Sequence, residues 1–242
     1  MKFLFGGITE QCINRIHVNQ DKLGAVVTFN KNGDEIITAA VCDGISRAYR
    51  SELASYNTIL RILRWAENYF PNINGFDEKS VVEQLDLELK KCNKMLNDFI
   101  DKNSYDDDTC CTVSGIITDG RQLVIFNAGD SRIYELNPHK DIRILTADNK
   151  GSDGHSISMF IGGMEDRDLS VSYYGEEYNN NSVYLLCTDG MYSRCDFSRW
   201  SNVLFNAASR EQIVSILDNM RKEVQNLGEF DDITALAVTL SK

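Results

Sequence analysis

The sequence predicts an α+β fold in which antiparallel sheet and helices occupy separate stretches of the chain. Three observations predict it. Apolar, strand-like runs come in turn-linked groups rather than alternating singly with helices. Two long helical patterns stand side by side between two such groups. The balance of 43% hydrophobic and 25% charged residues over 242 positions is that of a globular chain long enough for a large core.

The first strands are Gly24 to Phe29 and Ile36 to Cys42, separated by Asn30-Lys31-Asn32-Gly33-Asp34, a hairpin signal. A helix follows from about Tyr49 to Tyr69 and stops before Pro71. A second runs from about Glu78 to Ile100, with Val81, Val82, Leu85, Leu89, Cys92, Leu96 and Phe99 at spacings suited to one core-facing stripe. Strands resume at Thr112 to Thr118, turn at Asp119-Gly120, and continue as Gln122 to Asn127 and Ser131 to Leu136. The segment Asp148 to Asp168, rich in Gly, Asp and Ser, reads as a mobile, partly exposed loop or flap. Val183 to Cys187 reads as a buried strand. Ser209 with Gln212 opens a helix to about Gln225 in the manner of a capping box, and Ile233 to Leu240 is a last strand. No change of composition divides the chain, so one domain over 1–242 is expected.

Several function classes are excluded or disfavoured. The net charge of -11 opposes nonspecific binding to nucleic acid or to an anionic membrane. No apolar run approaches about 18 residues, the length of a membrane-spanning helix. The start, Met1 to Gly7, is too short for a secretory apolar segment. The three histidines (His17, His139, His155) have no metal-ligand spacing, which disfavours a zinc hydrolase. Glycine-rich phosphate loops are absent. Seven cysteines, none in C-x-x-C spacing, suit reduced thiols in a cytoplasmic protein. Cys110-Cys111 lacks the arginine loop of a cysteine phosphatase.

Four Asp-centred segments carry the functional signal. They are Val41-Cys42-Asp43-Gly44, Gly129-Asp130-Ser131-Arg132, Cys187-Thr188-Asp189-Gly190 and Asp231-Asp232-Ile233-Thr234. Each sets a carboxylate at or near the end of an apolar strand-like run. Asp is depleted inside strands, so each one alone is an ordinary turn, ion-pair or solvated loop residue. Four of them on one rim of a sheet would make a set of hard oxygen ligands suited to magnesium or manganese.

Taken together and in order, these segments resemble the PPM family of metal-dependent protein serine/threonine phosphatases, the type 2C enzymes, especially bacterial members. Asn19-Gln20-Asp21 resembles the family's Asn-Glu/Gln-Asp. Val41-Cys42-Asp43-Gly44 resembles V-x-D-G, and Ser51 to Ser55 resembles G-E-x-A-S. Gly129 to Tyr134 matches G-D-S-R-x-Y, Leu185 to Gly190 resembles L-L-x-S/T-D-G, and Asp231 to Thr234 resembles D-N/D-I-T.

The resemblance implies two antiparallel sheets sandwiched between helical layers, a four-layer α-β-β-α arrangement. It implies phosphoserine and phosphothreonine hydrolysis by a metal-activated water at a binuclear manganese or magnesium centre. Asp43 would bridge two ions, with the Gly44 carbonyl on one. Asp189 and Asp231 would complete the first ion's protein ligands, Asp21 would orient water, and Asp130 would help hold a third, weaker ion. The partners implied are a phosphoprotein substrate and a eukaryotic-like serine/threonine kinase that the enzyme opposes. A cytoplasmic monomer is expected.

The sequence departs from the family pattern on the substrate side. Ile45-Ser46-Arg47 stands where Met-Gly-Gly is usual, and Arg47 has two readings, a phosphate contact or a surface residue. The family's phosphate-binding Arg position holds Ile16. A one-residue insertion would restore Arg15 to that role, whereas a register shift would point it away. Asp108-Thr109-Cys110 replaces G-T/S-T, and Asp148-Asn149-Lys150 replaces D-H-S. Two rivals follow: a catalytically weak or inactive phosphoprotein-binding module on the same fold, and hydrolysis of a small phosphoester.

Overall fold

The computed structural model describes residues 2–12, 18–45, 48, 50–103, 109–139, 141–154, 156–163, 169–229 and 231–241. Among the described residues, ten strands form two five-stranded antiparallel sheets. The first sheet orders its strands as β1 (Phe3–Glu10), β10 (Ile233–Leu240), β9 (Val183–Cys187), β6 (Arg132–Leu136) and β7 (Ile142–Ile144). The second orders β2 (Lys22–Phe29), β3 (Glu35–Cys42), β4 (Val113–Thr118), β5 (Gln122–Ala128) and β8 (Ser172–Glu177). The α+β sandwich expected from the sequence is therefore present.

Side-chain alternation builds the layers. Along β3, Ile37, Ala39 and Val41 face the other sheet, where Ile133, Leu186, Leu236 and Val238 meet them. Ile36, Ala40 and Cys42 point the opposite way, onto α1 (Ser51–Tyr69) and α2 (Glu78–Asn103). Both faces of β3 are covered, so its sequence reads as one continuous apolar run. The outer face of the first sheet takes α4 (Phe197–Phe205) and α5 (Arg210–Asn226), with Leu204, Ile213, Leu217, Met220 and Val224 packed on Leu185 and Ala237. Each such fully buried aliphatic side chain contributes about 1.5–3 kcal/mol relative to exposure.

The caps follow local chemistry. Ser209 Oγ accepts from the Gln212 backbone N–H at 3.3 Å, while Gln212 Oε1 accepts from Ala208 N–H at 2.7 Å. The box thus closes one residue outside its usual partner. At α1 no side chain caps the start, and Arg50 enters with φ 50°, the one non-glycine at positive φ among the described residues. Helix α3 (Asp189–Tyr192) is a single turn. No helix of the described residues is long and apolar enough to cross a membrane.

Candidate metal centre

The predicted carboxylates gather at one end of the sandwich, with one correction to their expected setting. They line the rims of both sheets, not one. Asp21 precedes β2, Asp43 follows β3 and Asp130 follows β5, all from the second sheet. Asp189 follows β9 and Asp231 precedes β10, both from the first. Hairpin and crossover connections end at this edge, where turn-favouring Asp and Gly fit.

Backbone and side-chain hydrogen bonds hold Asp43, Asp21 and Asp231 in place. Asp43 N–H donates to Thr112 Oγ1 at 3.0 Å, and Thr112 N–H donates to the Asp43 carbonyl at 2.8 Å. Gly44 bridges Cys111, which pairs on its other side with Ile161. Thr188 Oγ1 donates to Asp21 Oδ2 at 2.8 Å. Asp232 N–H donates to Asp231 Oδ1 at 2.9 Å. At Gly190 an added Cβ would stand 2.0 Å from the Asp232 carbonyl oxygen, so only glycine lets α3 approach β10 this closely. Gly129 takes φ 119° over Thr112, a conformation open to glycine.

The electrostatics are those of crowded like charges. Burial pushes the Asp43 carboxyl well up, and the charges of Asp21, Asp189, Asp231 and Asp130 push it further. Burial raises Asp21 well above its ordinary value, against hydrogen bonds from Thr188 and Thr234. Burial, then Asp231 and Asp130, bring Asp189 up to about 6, while a hydrogen bond with Asp43 opposes the rise. Among the described residues no three carboxylate, thiol or imidazole groups already close around one point as a finished metal cage. The donor chemistry nonetheless fits a divalent hard cation. The donors are oxygens on short side chains, and Asp43 and Asp189 touch.

Asp130 has a different environment. Lys150 Nζ donates to its Oδ2 at 2.7 Å. Burial alone would lower the Lys150 amine; the hydrogen bond and charge of Asp130 outweigh this and hold it above its ordinary value. The described part of the expected flap is tied down at both ends. Asp148 accepts from Arg132 at 3.0 and 2.8 Å, and Gly162 N–H donates to buried Asn93 at 2.7 Å. Its exposed residues are Lys150, 152–154 and 156.

Arg15 and Arg47, the two phosphate-contact candidates, lie outside the described residues. Three residues at this site had no predicted role. Asp232 is buried and accepts from Cys12 N–H and Gln20 N–H, both at 2.8 Å, fastening the two flanks of the segment before β2. Thr188 orients Asp21, and Lys150 meets Asp130. The adjacency of Asp232 to Asp231 and of Thr188 to Asp189 was the available signal. For Lys150 it was the departure from D-H-S.

Comparison with known proteins adds to the geometry. A protein of Mycoplasma genitalium named "Putative protein phosphatase" is 26% identical over 248 residues, covering 93% of this chain and 90% of the relative. The serine/threonine phosphatase Stp1 from Staphylococcus aureus superposes with a TM-score of 0.80 at 18% identity, covering 100% of this chain and 96% of that one. The serine/threonine phosphatase PstP/Ppp of Mycobacterium tuberculosis gives 0.77 at 16% identity, with 100% of both chains covered. The family model for protein phosphatase 2C matches residues 10–228. That span holds the N-terminal motif, three of the four Asp-centred segments and every helix, and on it this chain belongs to the protein phosphatase 2C family of enzymes.

Proposed function

We propose that the chain hydrolyses phosphoserine and phosphothreonine on proteins, as one catalytic domain over 1–242 with two divalent ions, manganese or magnesium. The observation that carries this reading is the convergence of Asp43, Asp189, Asp231 and Asp21 from both sheets, oxygen-only and mutually repelling. Asp43 and Asp189 would hold the ions together, with the Gly44 carbonyl and Asp231 beside them. A pair of bound divalent ions lowers the pKa of water toward neutrality and offsets charge on phosphoryl oxygens. Asp21, held by Thr188, would fix the orientation of the attacking water. The Gly44–Cys111 bridge keeps the Asp43 turn rigid, so little reorganisation accompanies the reaction.

The substrate is a phosphoprotein, made by a kinase that this enzyme would oppose. No disulfide joins any of the seven cysteines, which suits a reducing, cytoplasmic setting. Beside the departures at Ile45 to Arg47 and at Ile16, Lys150 supports the binding-module rival, because it neutralises a carboxylate with no ion required. The deciding experiment is hydrolysis of a phosphothreonine peptide by purified protein with manganese and with excess chelator, beside small phosphorylated metabolites. Manganese-dependent turnover of the peptide in preference to the metabolites is expected. A folded, metal-loaded protein that binds the phosphopeptide without turning it over would overturn the enzymatic reading.

A further inference from the structure

Three consecutive residues, Asp148, Asn149 and Lys150, reach back to the Gly129 to Arg132 turn. Asp148 takes the Arg132 guanidinium in two hydrogen bonds. Asn149 exchanges two bonds with Gly129, its Oδ1 accepting from Gly129 N–H and its N–H donating to the Gly129 carbonyl, both at 2.9 Å. Lys150 then places its ammonium 2.7 Å from Asp130 Oδ2. The Asp130 side chain is 9% exposed and that of Lys150 35%. The other end of Asp130 is also held, because Tyr192 Oη donates to its carbonyl at 3.0 Å and Arg132 lies 4.0 Å over the Tyr192 ring.

We propose that Lys150 is a resident cation that takes the place of a third divalent ion at Asp130. The proposal rests on the binuclear reading above. A lone surface ion pair would carry no such meaning, since exposed pairs are weak and loosely placed. This one is not loose. The backbone before Lys150 is fastened residue by residue to the turn that carries Asp130, and Ser158 N–H closes the loop behind it on the Asn149 carbonyl at 2.9 Å. An ammonium is a compact point charge with three donors, enough to satisfy one carboxylate, and it cannot dissociate as an ion does. The Asp130 corner therefore keeps its positive partner at every metal concentration. Lys150 acts here as a positioning residue, through Asp130.

The test counts bound manganese by equilibrium dialysis and calorimetry in wild type, Lys150→Ala, Lys150→Met and the Lys150→Ala/Asp130→Asn pair. Circular dichroism establishes that each is folded, and Lys150→Met keeps the bulk of the side chain. Two ions are expected in the wild type, a third and weaker one in both lysine variants, and its loss in the double variant. A wild type that binds three ions overturns the inference and leaves the binuclear reading standing. So does a lysine variant that gains no ion. Fewer than two ions in every protein overturns the binuclear reading and this inference with it.

Discussion

Glu135 and Asp43 are both carboxylates on strands or strand ends of the sandwich, and their surroundings are opposite. Glu135, on β6, accepts from Arg143 Nε at 2.8 Å, Ser182 Oγ at 2.8 Å and Asn179 Nδ2 at 2.7 Å. Burial works to raise its carboxyl, but those donors outweigh it and hold the group below its ordinary value. Asp43 faces four other carboxylates, which add to the effect of its burial. The first arrangement is complete within the chain. The second crowds carboxylates together, with the Lys150 ammonium beside Asp130, as expected of the cation site proposed above.

Asp43→Asn should break the contrast most sharply. It removes the charge at the centre of the cluster, and peptide hydrolysis should fall at least about 1,000-fold, roughly 4 kcal/mol, with the fold intact. Substantial turnover in the folded variant would contradict the role given to Asp43.

The next effect is on stability against pH in chelator-treated protein. Unfolded, Asp189 titrates near 3.8; folded, it titrates at about 6. Between these values the folded state keeps a proton that the unfolded state has lost. Stability from this group is therefore complete below about pH 4 and is lost as pH rises through about 6, by at most about 3 kcal/mol. Denaturant melts of wild type and Asp189→Asn from pH 4 to 7 isolate the difference. Saturating manganese should erase it, because ions and protons compete for the same carboxylates. A wild-type curve parallel to that of the variant would count against the crowding described here.

Glu135→Ala should act in the reverse sense. It strands Ser182 and Asn179 and should cost roughly 2 kcal/mol in denaturant melts, less than a fully buried pair because Arg143 is 56% exposed. Turnover per folded molecule should not change. Smallest is Thr188→Val, which removes the donor to Asp21 Oδ2. A drop in kcat of about tenfold, near 1.4 kcal/mol, is expected with manganese stoichiometry unaltered. Loss of bound ions in that variant would mean that Thr188 supports the metal ligands rather than Asp21.

The boundary between what was legible in the sequence and what was not has a physical basis. The interior strands β3, β4, β5, β6, β9 and β10 announce themselves because they are buried, on both faces or nearly so, and read as apolar runs. The strands not anticipated, β1, β7 and β8, all lie at sheet edges. Ile142 to Ile144 is exposed throughout, and Ser172 to Glu177 is half-exposed and polar. The latter two edges lack the long apolar run of an interior strand, which would invite pairing with other chains; β1 carries one, in Phe3 to Ile8. Edge strand β2 was recovered through its hairpin to β3. The short α4, capped by Asp196 on Ser198 N–H, was also not anticipated. At the site, Asp43, Asp130 and Asp189 were visible because Asp after a strand is unusual, Asp231 because it stands just before one, and Asp21 through the resemblance of Asn19-Gln20-Asp21 to a family motif. The partnership of Lys150 with Asp130 spans twenty residues and exists only once the loop has folded back.

The order of strands in the first sheet bears on how the molecule comes into being. β10 lies between β1 and β9, pairing with β1 along its whole length from Phe3↔Leu240 to Glu10↔Ile233. The strand made after the other nine described ones is thus an interior one. Until it arrives, β1 has no neighbour in its sheet, β9 has an open edge, and Asp231 has not joined the other carboxylates. A nascent chain can assemble the second sheet with α1 and α2 early, but it gathers all five carboxylates only once β10 has been made. If the carboxylates act as proposed, activity waits on the closing of the first sheet, and a chain still lacking β10 would not act on phosphoproteins.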